Sequence, residues 1–257
     1  MKYHIDTIPV WDAYKADCEC PMCLIRHKCE LDFIDSFLGG SVMEPDTRIE
    51  VNAKGFCQEH LHQLYAQKNR LGLALMTHTN MLEANEVAQE GFAKIEAALN
   101  GAPSGKKLFR PSKTDEKTAQ TIAQVAQTIR ARTQSCIICQ RLDSLMDRYF
   151  YTLMYMYEHE AEFRKAFAQS KGMCRPHLAD ALEYAVKHLK PDLAKAFITE
   201  LLAAQRENDK RIADELYAFT TMFDYRNQGK TFGNARDALP RAINRVRGLT
   251  FPEDKKE

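Results

Sequence analysis

KGFCQEHL (Lys54–Leu61) returns further along the chain as KGMCRPHL (Lys171–Leu178), with lysine, glycine, cysteine, histidine and leucine in the same places. Ahead of the first phrase stands CPMC (Cys20–Cys23), and ahead of the second CIIC (Cys136–Cys139). Cys23 precedes Cys57 by 34 positions and Cys139 precedes Cys174 by 35. A stretch with helical apolar spacing follows each phrase. Leu61, Leu64, Tyr65, Leu71, Leu75 and Leu82 mark the first, and Leu193, Phe197, Leu201, Ala204, Ile212, Leu216 and Phe219 the second. Steps of three, four and seven put one apolar stripe on a helix, and both helices are expected to be long. The chain reads as a tandem duplication whose period is too great for a solenoid repeat. Its unit is C-x-x-C, helix, loop, K-G-x-C-x-x-H-L, long helix.

The fold class that follows is all-α. Two zinc-knuckle modules, residues 1–100 and 118–222, are expected to pack their long antiparallel helices as a bundle. A linker, 101–117, separates them where NGAPSGKKLFRPSKTDEK (Asn100–Lys117) brings glycine, proline and positive charge together. Residues 223–257 form a C-terminal docking segment, whose helix RAINRVRG (Arg241–Gly248) is expected to dock through Leu239, Ile243 and Val246 with its arginines in water. The opening YHIDTIPVW looks extended, although its proline weakens that reading.

The repeated residue types suit one chemistry. Zinc takes four ligands in a tetrahedron from thiolates and imidazoles, and a two-residue spacer lets two side chains of one turn reach one ion. The expected ligands are Cys20, Cys23, Cys57 and His60 in the first module, and Cys136, Cys139, Cys174 and His177 in the second. That gives two zinc ions, one per module. An iron–sulfur cluster is the minor alternative, since thiolate-only sets are commoner for iron. A thiol–disulfide role is another, because CPMC resembles a redox dithiol, yet no βαβ pattern surrounds it. Cys18 is a spare thiol that replaces or supplements Cys20, with Cys20 preferred on its spacing from the helix start. Cys29 is read as simply packed.

The chain has 257 residues, 45% of them hydrophobic and 28% charged, with a net charge of +1. That balance gives no global attraction to nucleic acid or an anionic membrane. No apolar run reaches transmembrane length, and the start is not read as a secretory signal. A cytoplasmic protein with reduced cysteines is expected, which turns the 8 cysteines toward metal or redox chemistry. The aromatic and methionine-rich run Tyr149–Phe167 reads as a helix buried on most of its surface. A di-iron site is rejected, because the only E-x-x-H, Glu59 to His62, overlaps a knuckle. No Ser–His–Asp pattern, phosphate-binding loop or dinucleotide fingerprint occurs.

Four features together resemble a bacterial family catalogued only as a domain of unknown function. They are IDTIPVWDAYKADCECPMC, GFCQEHLHQLYAQKNRLGLALMTHT, the CIIC–MCRPH pair, and FDYRNQGK followed by RAINRVRG. The resemblance covers nearly the whole chain. Some members carry a transporter substrate-binding label, which the expected absence of an export signal or lipid-attachment site does not support here. Members carry tryptophan where Phe232 stands. The function expected is a zinc-stabilised binding or regulatory scaffold without catalytic activity, and the reading leans away from an enzyme. It would bind a protein partner or itself through the long helices, with no membrane and no nucleic-acid partner expected. The alternatives are a redox-responsive thiol/zinc switch or thiol oxidoreductase, and a nucleic-acid-associated zinc protein.

Overall fold

The computed structural model describes residues 4–101, 116–227 and 229–251, and among these it is all helical. The α-helices are α1 (His4–Lys15), α2 (Pro21–Leu38), α3 (Pro45–Lys54), α4 (Gln58–Ala66), α5 (Arg70–Gly101), α6 (Glu116–Gln134), α7 (Ile137–His159), α8 (Ala161–Ala168), α9 (Arg175–His188), α10 (Pro191–Thr221) and α11 (Ala238–Arg247). None of them is long and apolar enough to cross a membrane. Residues 102–115 of the linker lie outside the described residues.

The chain divides into two compact units that do not follow the two sequence modules. One comprises residues 1–29 and 142–257, the other residues 30–141. The dividing points fall inside α2 and inside α7.

The discontinuous unit is built on aromatic packing. Tyr157, Phe163, Phe167 and Phe197 are fully buried. Phe167 stacks on Phe197 with centroids 4.6 Å apart, and Tyr157 meets Phe197 edge-on at 5.0 Å. The Tyr149–Phe167 run is therefore largely core, divided at Glu160, where α7 gives way to α8. The opening stretch is helical rather than extended, with Pro9 inside α1. Burial outweighs the proline. Val10, Ala13 and Tyr14 sink into the core, Tyr14 lies 5.0 Å from Phe163, and the Trp11 indole N–H donates to Glu160 at 3.0 Å.

The continuous unit holds α3 to α6 together with the end of α2 and the start of α7. Its core includes Ile34, Phe37, Val51, Leu64, Met76, Ile137 and Ile138. The helix expected from Leu61 onward is two helices. Asn69 separates them, accepting the Gly72 N–H at 2.8 Å and donating to the Leu38 carbonyl at 2.6 Å. An asparagine that accepts from the residue three ahead caps a helix start, and this one begins α5 afresh. The break turns the expected stripe outward: Leu71, Leu75 and Leu82 are exposed, while Leu73 and Met76 are buried. Further along α5, Gly91 permits close approach of α6, since a Cβ there would sit 2.7 Å from Val125. The second long stripe runs as expected along α10, burying Phe197, Leu201 and Ile212.

The C-terminal helix reverses its expected orientation. Arg241 and Arg245 are buried, whereas Leu239 and Val246 are exposed. Arg241 pairs with Glu215 and with Asp237 at 2.7 Å, and Arg245 Nε donates to Asp209 at 2.7 Å. Buried charge is tolerated where it is paired and hydrogen-bonded, and α10 supplies acids that the tail's own pattern does not reveal. Phe232 packs on Phe219, with centroids 5.6 Å apart.

Truncating the fully buried ring, Phe163→Ala, should destabilise the protein by about 3–5 kcal/mol. Denaturant unfolding checks this, and a loss below about 1 kcal/mol would contradict the packing described.

Candidate metal centres

Each of the four ligand pairs sits on the first turn of a helix. The carbonyl of the leading cysteine accepts the first helical bond, from Leu24 to Cys20, Leu61 to Cys57, Gln140 to Cys136 and Leu178 to Cys174. The leading cysteine is thus the N-cap, and the second residue of each pair, Cys23, His60, Cys139 or His177, lies three positions on. Side chains at those two positions converge on the helix start, the geometry that a capping box exploits. Spare backbone N–H groups and the positive end of the helix dipole favour thiolate there.

The pairs meet crosswise. Cys20 and Cys23 gather with Cys174 and His177, while Cys57 and His60 gather with Cys136 and Cys139; in each set the four ligand atoms lie within 4.8 Å of one another and are able to hold a metal ion. The expectation that each module supplies its own four ligands is corrected: each CxxC is completed by the other module's CxxH. The nearly equal gaps of 34 and 35 positions allow either pairing, and the tertiary fold selects this one.

The first set is buried throughout. Cys23 Sγ lies 3.5 Å from Cys174 Sγ, and His177 Nδ1 lies 3.5, 3.4 and 3.3 Å from the sulfurs of Cys20, Cys23 and Cys174. The loop before Cys174 turns at Gly172, whose φ of +83° favours glycine. A Cβ there would stand 2.7 Å from Gln205 Oε1, the atom that accepts the Met173 N–H at 3.0 Å. Arg245 ties both halves of this set together. One guanidinium nitrogen donates to the Glu19 carbonyl, next to Cys20, at 3.1 Å, and the other to the Lys171 carbonyl at 3.0 Å.

The second set is less enclosed, with Cys57 and Cys139 half-buried. Cys57 Sγ is 3.8 Å from Cys139 Sγ, and His60 Nδ1 is 3.1, 3.3 and 3.4 Å from the sulfurs of Cys57, Cys136 and Cys139. His60 Nε2 donates to the Glu30 carboxylate at 3.0 Å. That bond fixes the tautomer and presents the Nδ1 lone pair to the sulfurs, as carboxylate partners do for metal-bound histidines. Two direct contacts close the loop: Ser135 Oγ donates to the Lys54 carbonyl at 2.6 Å, and the Ile137 N–H to the Gly55 carbonyl at 3.1 Å.

Glu30 and Arg245 are the contributors that spacing does not disclose. Glu30 lies 30 positions from His60, and no local pattern marks it. Arg245 stands on α11, where the apolar residues suggest that the opposite face docks. Cys18 and Cys29 fall in neither set. The Cys18 thiol points back to the Ala13 carbonyl, 3.7 Å away.

In each set one thiol is pulled down and another is pushed up, Cys23 by its bonds to Cys174 and Cys20 and Cys139 by burial. The neighbouring thiols of Cys20 and Cys23 hold Cys174 down at about 4, against the effect of burial. Burial raises Cys136, yet the His60 contact brings it down to about 6. Burial lowers His60, but Cys136 and Glu30 together lift it to about 10.

An all-helical chain with two separate Cys3His sets is the class these features define. The family of unknown function DUF6062 matches residues 1–253, and the chain belongs to it. No curated protein and no solved structure matches the chain.

Protons compete with a metal for thiolate and imidazole. Acidification should therefore release metal from both sets, since each offers three thiols and an imidazole to protons. Two ions that stay bound as the pH falls through the carboxylate range, followed with a chromogenic chelator, would contradict this. Arg245→Ala should hasten metal loss from the Cys20 set alone, leaving the buried Glu19 carbonyl and the half-buried Lys171 carbonyl without their donor. Equal acceleration at both sets would remove Arg245 from that role.

Proposed function

We propose that the protein is a helical binding or regulatory scaffold held together by two structural zinc ions, one in each crossed set. The observation that carries this reading is the closure of both sets by four protein ligands. A structural zinc has four such ligands, whereas a catalytic one keeps a position for water. Zinc–sulfur bonds of about 2.3 Å and zinc–nitrogen bonds of about 2.0–2.1 Å require tetrahedral edges of about 3.8 Å between sulfurs and about 3.5 Å between sulfur and nitrogen. The sulfur–sulfur contacts of 3.5 and 3.8 Å and the sulfur–nitrogen contacts of 3.1–3.5 Å suit a single ion of that size. A cluster of several irons needs more space between its ligands. Three thiolates around a divalent ion leave one net negative charge, which Arg245 helps to offset at the Cys20 set.

Metal analysis of anaerobically purified protein should find two zinc per chain and no visible absorption. A brown protein would end the zinc reading. Paired substitutions test the crossing. Cys20→Ser with Cys174→Ser should cost one ion, whereas Cys20→Ser with Cys57→Ser should cost both. Loss of a single ion from the second pair would restore the within-module arrangement.

A further inference from the structure

The phrase KGFCQEHL does more than supply ligands, because its other residues wall a groove of about 870 Å³ in the continuous unit. Leu61 from α4, Leu73, Val87 and Phe92 from α5, and Ile129 from α6 line its apolar length. From Leu73 to Phe92 the groove follows about 28 Å of α5 at the helical rise. Phe92, Ile129 and Leu61, which line the same concave surface, stay 43%, 40% and 38% exposed.

The charged residues of the groove carry one sign. Lys54 and Arg132 both line it, and none of its lining residues is an aspartate or glutamate. Arg132 is already engaged, donating to the Asn52 carbonyl at 2.7 Å and to Glu83 at 3.3 Å. Among the described residues Lys54 makes no ion pair. Its counterpart Lys171 pairs with Asp17. The equivalent lysines of the two phrases therefore differ, and the one that makes no ion pair lines the groove.

We infer that this groove binds a long-chain carboxylate, with the headgroup at Lys54 and the acyl chain along the apolar wall of α5. A mostly apolar cleft of this size lined by a few polar groups is the usual form of a small-molecule site. The positive lining with no acid selects an anionic amphiphile over a neutral or cationic one. The inference rests on reading the chain as a binding protein and is separate from the identity of the metal.

The test uses metal-loaded, full-length protein and isothermal titration with laurate, dodecanol and dodecyltrimethylammonium, which share one tail length. Laurate should bind at one per chain, and the cation at least about tenfold more weakly. Lys54→Gln should bring laurate down to the affinity of dodecanol while leaving dodecanol unchanged. Ala88→Trp, which fills the groove from a half-buried position on α5, should abolish binding of both, with two metal ions and the helical circular dichroism retained. No laurate binding to the wild-type chain, equal binding of the cation, or a groove closed by a second copy in sedimentation would overturn the inference. A chain that holds two zinc ions and rejects laurate overturns this inference alone.

Discussion

Both Cys3His sets depend on one arrangement, two helix starts facing each other, made twice. A helix N-terminus offers unpaired N–H groups and the positive end of its dipole, and neither is satisfied by the helix itself. Here each such end carries a cysteine cap and a second soft ligand one turn in. Two ends that would otherwise need separate capping become partners through four side chains. The arrangement brings the start of α2 to the start of α9 and the start of α4 to the start of α7.

The two sets are supported by different means. At the Cys57 set, a serine hydroxyl and a backbone N–H close the loop from immediate neighbours in the chain. At the Cys20 set, a single arginine from α11 reaches across to both carbonyls. That arginine is held by Asp209, which Gln205 and Arg175 also engage. The two arginines bring down the Asp209 carboxyl, which burial alone would raise. The C-terminal helix is therefore part of the Cys20 centre although it supplies no ligand.

Much of this was legible in the sequence, and what was not has a common cause. The eight Cys and His residues stand in pairs whose spacing matches one helical turn, so local pattern finds them. The all-helical class follows from periodicity, and α10 buries the stripe its spacing implies. Which pair meets which is a long-range matter, and two nearly equal gaps give no basis for choosing. The same limit hides Glu30 behind His60. It hides the acids that draw Arg241 and Arg245 inward too, because Glu215 and Asp209 belong to another helix. At α1 and between α4 and α5, burial and a single asparagine cap outweigh what the apolar pattern alone suggests.

Crossing also imposes an order. The ligands of the Cys57 set all lie between the two halves of the Cys20 set, so one closure is nested inside the other. Cys23 and Cys174 are 151 residues apart, while His60 and Cys136 are 76 apart. Once the inner set closes, the outer ends are separated by roughly half the original free chain. Halving a loop lowers the entropy of closing it by about 0.6 kcal/mol. Synthesis runs in the same direction, since the inner set is complete when Cys139 emerges and the outer set waits for His177. The chain is thus laid out like a buckle within a buckle, and fastening the inner one shortens the reach of the outer.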